Sequence, residues 1–164
     1  MCTYKRVVSG ILVSLLLFAA ASGAWAAKGS SKELAALQAV DQEWVKAYNA
    51  GDVGTVASLY AEDAVLLPPG VSAVHGRVAI HAFFVGDTAA SRKAGVEFHL
   101  TGHPDGGVNG DWGWCSGTYN VTDKAGHIVE MGKYLSVSRM VSGKWRYVRD
   151  TWNSDGPVST TPST

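Results

Sequence analysis

The chain has 164 residues, 46% of them apolar and 17% charged, and Lys plus Arg equals Asp plus Glu at 14 each. That is enough for one domain and short for two. No basic excess points to nucleic acid, no acidic block points to disorder, and the 19 glycines favour a turn-rich fold with strands over a plain helix bundle.

In chain order, Lys5 and Arg6 precede a run from Val7 to Ala21 that is almost purely apolar, and Ala24-Trp25-Ala26 follows as a small-x-small pattern. This order reads as a secretory signal peptide over residues 1–26. The run of about 15 residues is short of the ~20 that a spanning helix needs, and Cys2 is misplaced for a lipoprotein signal. Cleavage after Ala26 predicts an exported protein, periplasmic or secreted, with no membrane segment left. Only Cys115 then remains, so no internal disulfide is expected. Residues 27–32 read as a flexible lead-in, 33–155 as one domain, and 156–164, mostly Ser, Thr and Pro, as a disordered tail.

The first half of the domain reads as helical. Ser31 is an N-cap and Asn49-Ala50-Gly51 a stop, with Leu34, Leu37, Trp44 and Tyr48 forming one apolar stripe. Asp52 caps a short helix over Val53 to Tyr60. Glu62-Asp63 reads as a turn, with Asp63 bonding turn amides. Ala64 to Leu67 is a short strand stopped by Pro68-Pro69-Gly70, and Arg77 to Val85 a third helix. The second half reads as strands. Val96 to Leu100 alternates with period two, and Gly102 to Gly110 is a glycine-rich loop. Trp112 to Val121, Ile128 to Val141 and Lys144 to Trp152 are longer strands, the last two joined by a Ser142-Gly143 hairpin turn. Helices first and a meandering antiparallel sheet after make an α+β order. Such a sheet can curl around its helices into a cone with an interior pocket.

Trp44 through Tyr60, the run from Ala61 to Gly70, the segment Gly76-Arg77-Val78-Ala79-Ile80 leading to Phe83-Phe84, and the closing stretch from Gly143 to Asp155 resemble the nuclear-transport-factor-2-like superfamily. Within it the chain is most similar to the SnoaL-like and SgcJ/EcaC-type branch, largely of unknown function. The resemblance covers about residues 33–155. It implies a cone-shaped curved antiparallel sheet wrapped around three N-terminal helices, a pocket between them, and a homodimer through the outer sheet face. The superfamily's ketosteroid isomerases use an aspartate base after the short strand, a tyrosine on the first helix and a neutral acid in the sheet. Matching their motifs puts Pro68, Trp44 and Ser136 at those positions, so that mechanism does not carry over.

Two carboxylates stand out. Asp41 interrupts the apolar stripe of the first helix, where an unpaired charge is costly, so it must find donors or shift its pKa upward. Asp150 shares a strand face with Val148 and Trp152, and the family's final-strand aromatic matched to Trp152 turns that face inward. Each has a structural reading, a hydrogen bond or ion pair, beside the reading as acid or base. Tyr134, Ser136 and Ser138 alternate on one strand face and offer hydroxyls. The pocket-lining candidates are Trp44, Tyr48, Leu67, Phe84, Trp114, Tyr134, Ser136 and Trp152. The five histidines do not converge on a metal-site spacing, with His99 and His103 some ~13 Å apart along a strand. Cys115 reads as a core thiol, and no phosphate loop or dinucleotide motif is present, so neither metal nor cofactor is expected.

These observations favour a binding domain for a small hydrophobic ligand. An isomerase- or hydrolase-type proton-transfer enzyme using Asp150, with Asp41 as a second candidate, is the alternative. An oligomerising interaction module, with Leu135, Val137 and Arg139 on its face, is the third.

Overall fold

A computed structural model of the chain describes residues 31–156. The expected signal peptide, residues 27–30 and the tail beyond 156 lie outside the described residues. Ser31 and Lys32, expected in the lead-in, are helical instead. They open α1 (Ser31–Ala50), which is followed by α2 (Val53–Ser58), β1 (Tyr60–Leu67), β2 (Val74–His75), α3 (Arg77–Ala94), β3 (Glu97–Asn109), β4 (Trp112–Thr122), β5 (Ile128–Val141) and β6 (Lys144–Ser154). The six strands form one curved sheet in the order β2-β1-β6-β5-β4-β3, with the helices N-terminal to most of it. Every pair is antiparallel except β1 and β6, which run parallel because α3 and the long meander separate them in the chain. No helix among the described residues is long and apolar enough to cross a membrane.

The stripe on α1 buries Leu37, Val40, Asp41, Ala47 and Tyr48 at the period of a helix. Gly106 and Gly113 let this helix approach the sheet. A Cβ on Gly113 would sit 2.6 Å from a Leu37 methyl, and one on Gly106 would sit 3.1 Å from a Leu34 methyl. At the far end of α1 the Asn49 amide clamps β3, donating to the Phe98 carbonyl at 2.8 Å and accepting from the Phe98 amide at 3.0 Å. The chain turns at Gly51, whose φ of 72° suits glycine. Asp52 then caps α2, accepting from the Thr55 amide and hydroxyl. The core joins Leu37, Val56, Leu59, Tyr60, Leu66, Ile80, Phe84 and Val148. Burying a side chain of this size contributes about 1.5–3 kcal/mol.

Several boundaries differ from the sequence expectation. The second helix stops at Ser58 and β1 begins at Tyr60, so Glu62 and Asp63 lie within a strand rather than a turn. Both point outward to guanidinium partners, Glu62 to Arg77 at 2.5 Å and Asp63 to Arg139 at 2.9 Å. Helix α3 runs past Val85 to Ala94, because Gly86 faces open space and interrupts no packing, and Gly95 ends it in the left-handed conformation. The glycine-rich segment over Gly102 to Gly110 belongs mostly to β3. Its irregularity is taken up by a register shift between Thr101 and Asp105, where Gln38 on α1 holds the Pro104 carbonyl. The Ser142-Gly143 turn has positive φ at both residues, 49° and 77°, as a two-residue hairpin requires.

Candidate functional site

A cavity of about 240 Å³ opens between α1, the C-terminal half of α3 and the inner face of β3 to β6. Its walls are aromatic. Trp44 and Tyr48, one helical turn apart on α1, stack at 4.8 Å between centroids, and Phe98 on β3 stacks on Tyr119 of β4 at 4.5 Å. Trp44 meets Phe98 edge-on at 5.6 Å and ties the two stacks together. Tyr134 and Trp152, cross-strand partners on β5 and β6, complete the lining.

Two buried carboxylates stand at the inner end, each held by phenols. Asp150 accepts the Tyr60 hydroxyl at 2.5 Å, and Tyr60 in turn accepts the Trp44 indole N–H at 3.1 Å. Asp41 accepts the hydroxyls of Tyr147 at 2.6 Å and Tyr134 at 3.1 Å. Burial pushes the Asp150 carboxyl up to about 7; the Tyr60 bond pulls it down, and the charge of Asp41 raises it again. Burial also raises Asp41, against the hydrogen bonds from Tyr147, Tyr134 and the Cys115 thiol. The phenols of Tyr60 and Tyr147, fully enclosed beside these carboxylates, are pushed well above the usual range and stay protonated donors. Toward solvent, Tyr48 donates to Asp87 at 2.6 Å and lies 2.7 Å from the Ser91 hydroxyl, while Tyr119 donates to Glu130 at 2.7 Å.

Of the residues singled out from sequence, Asp41, Trp44, Tyr48, Tyr134, Ser136, Asp150 and Trp152 come together on this cavity. Three others do not. Leu67 ends β1 on its exposed side, 42% accessible, because the inward position of that strand is taken by Leu66. Phe84 is fully buried in the core behind Trp44, Tyr48 and Tyr60 and reaches no cavity. Trp114 lies on the opposite sheet face, since its neighbour Cys115 points inward and a strand alternates. That thiol is buried beside Asp41, and burial pushes it up to about 12. Ser138 is buried on the inner face of β5 but outside the lining.

Sequence reading missed Tyr60, Tyr119, Glu130, Tyr147 and the α3 pair Asp87 and Ser91. Period-two extension would have found two of them, because Tyr119 follows Cys115 and Glu130 precedes Tyr134 on inward positions. Tyr147 is hidden by a register shift between β5 and β6. Val137 pairs with Arg149 but Ser138 with Tyr147, so Val148 is an extra residue. Tyr147 and Asp150, three apart, therefore both face inward.

A family model for the SnoaL-like domain matches residues 42–148, while no curated protein matches the chain. Solved structures agree on the fold. An NTF2-like protein with a cystatin-like fold from Novosphingobium aromaticivorans is 20% identical, with a TM-score of 0.69 over 78% of this chain and 85% of that one. An NTF2-like protein of unknown function from Pseudomonas putida is 14% identical, with a TM-score of 0.69 over 82% and 95%. A ketosteroid isomerase-like protein from Erwinia carotovora atroseptica is 20% identical, with a TM-score of 0.60 over 78% and all of that chain. The matched segment runs from within α1 into β6 and covers more than half of the chain, and on that ground the chain belongs to the SnoaL-like domain family, with the fold of the NTF2-like structures.

Proposed function

We propose that this domain binds a small, mostly apolar molecule in the cone, with a polar group of that molecule directed at Asp150 and Ser136. The observation that carries this reading is the lining itself: aromatic faces on most sides and a few convergent polar groups at the buried end, the composition of a small-molecule site. A core built only for stability would be expected to fill this space with aliphatic side chains. We further propose that the protein is exported, on the N-terminal charge and apolar pattern, and that it pairs as a homodimer through the outer sheet face.

Proton-transfer catalysis is the second reading, favoured by one specific feature. Asp150 lines the cavity and titrates near 7, where it can both give and take a proton at neutral pH. The residues at the positions of the isomerase motif, Pro68, Trp44 and Ser136, lack its base and acids, so a reaction here would run through Asp150 and Tyr60. Mass spectrometry of protein purified under native conditions, before and after denaturation, tests both readings. A released apolar compound that is recovered unchanged after incubation with fresh protein supports binding. Chemical conversion that Asp150→Asn abolishes while binding persists supports catalysis. If nothing copurifies and a panel of apolar fragments fails to bind, the small-molecule reading falls.

A further inference from the structure

The charge of the cavity wall is one-sided. Asp41, Asp87, Glu130 and Asp150 all line it, and no Lys, Arg or His does. The chain as a whole carries equal numbers of acidic and basic residues, so this bias does not follow from composition. Ser136 adds an independent feature. It is 2% exposed, it lines the cavity, and its hydroxyl has no hydrogen-bond partner. Leaving such a group unpaired costs on the order of 1–3 kcal/mol, a cost that a polar atom of a ligand would remove. Ser136 is also the direct cross-strand partner of Asp150, so the unused hydroxyl and the carboxyl stand side by side on neighbouring strands.

These features describe a receptor for N–H donors bearing positive charge. An ammonium has three donors and no acceptor. Asp150, Ser136 and Asp41 supply acceptors, and the rings of Trp44, Trp152 and Phe98 in the lining supply the aromatic surroundings that favour a cation on an apolar body. We propose that the cavity selects an organic cation, a protonated amine on a flat apolar body, over neutral or anionic molecules of the same shape. The inference rests on the reading of the cone as a small-molecule site and names the chemical class of its ligand.

A cation beside Asp150 favours the ionised carboxylate. The groups facing Asp150 are Tyr60 from β1, Asp41 from α1, Tyr134 and Ser136 from β5, and Tyr147 with the Thr151 amide on β6, and none of these is basic. The affinity for an amine is therefore expected to rise between pH 6 and pH 8 while the amine itself stays protonated.

Calorimetric titration with three matched probes tests the inference: 1-naphthylmethylamine, 1-naphthylmethanol and 1-naphthoate. The amine is expected to bind at least tenfold more tightly than the alcohol at pH 8 and the carboxylate more weakly than both. In Glu130→Gln and Asp87→Asn, whose amides keep an acceptor for Tyr119 and Tyr48, the ratio of amine to alcohol affinity is expected to fall about threefold each. Equal binding of amine and alcohol, or preference for the carboxylate, overturns the charge selection and leaves the small-molecule reading standing. Failure of all three probes to bind removes both.

Discussion

Asp150 and Asp41 are buried acids held by phenols, and their ionisation is coupled to folding. In the unfolded chain Asp150 ionises near its ordinary 3.8, whereas in the fold it does so near 7. Between those values the folded state keeps a proton that the unfolded state releases, so stability falls as pH rises, by about 1.4 kcal/mol per pH unit for a single group, and levels off above 7. Asp41 is raised too and acts in the same direction. The exposed carboxylates with lowered values, Asp52, Asp63 and Asp123, lose their contribution only as pH falls below the ordinary range, outside this window. Urea denaturation from pH 4 to pH 8 is expected to show a loss of a few kcal/mol. Asp150→Asn, whose amide oxygen still accepts from Tyr60, should flatten much of that slope. A wild-type stability that increases with pH, or a variant with an unchanged slope, would contradict the burial of an acid at this position.

At the scale of elements, the β4·β5 ladder sets two tyrosines against two glycines. Tyr134 lies opposite Gly117, and Tyr119 lies opposite Gly132. A Cβ on Gly117 would come within 2.8 Å of the Tyr134 ring, and one on Gly132 within 2.5 Å of the Tyr119 ring and 2.4 Å of the Asn153 carbonyl. These glycines let the rings lie flat across the neighbouring strand and form the cavity wall. Gly117→Ala is expected to be absorbed by movement of Tyr134, weakening its bond to Asp41 and lowering ligand affinity several-fold with a small loss of stability. Gly132→Ala meets backbone that cannot move aside and is expected to destabilise by about 1–3 kcal/mol, the usual range for overpacking. Thermal melts beside probe titrations separate the two effects, and equal behaviour of the variants would refute the assignment. The same ladder shows what was legible in the sequence. Alternation places Tyr134, Ser136 and Ser138 on one inner face and Cys115 in the core, and the helical period aligns Asp41, Trp44 and Tyr48. The register shift at Val148 leaves no trace in composition, so alternation from Asp150 does not bring Tyr147 to the inner face. Tyr60 read as the end of a helix because an apolar residue fits either period there. Size alone places Trp114 among the pocket candidates, although its parity with Cys115 excludes that.

On the whole molecule, the two faces of the sheet are chemically distinct. The inner face holds the cavity. The outer face presents Trp112 and Trp114 on β4 beside Leu135 and Val137 on β5, around a shallow hollow. Trp112 remains 49% exposed even with the Arg139 guanidinium over its ring, and Arg139 is itself held by Asp63. Clustered exposed apolar side chains of this kind mark association surfaces, and a twofold pairing would cover the same strip on both copies. The proposed homodimer therefore predicts that sedimentation at tens of micromolar gives twice the chain mass. Trp114→Arg combined with Leu135→Asp should give a monomer with little change in far-ultraviolet circular dichroism, because neither side chain belongs to the core. The cavity lies on the other face of the sheet and shares no lining residue with this strip. The monomeric variant is accordingly expected to bind the naphthyl probes within about twofold of the unmodified protein, a change of about 0.4 kcal/mol. A wild-type protein that stays monomeric would remove the dimer. Loss of probe binding on dissociation would show that the cone needs its partner, which this division of the two faces does not allow.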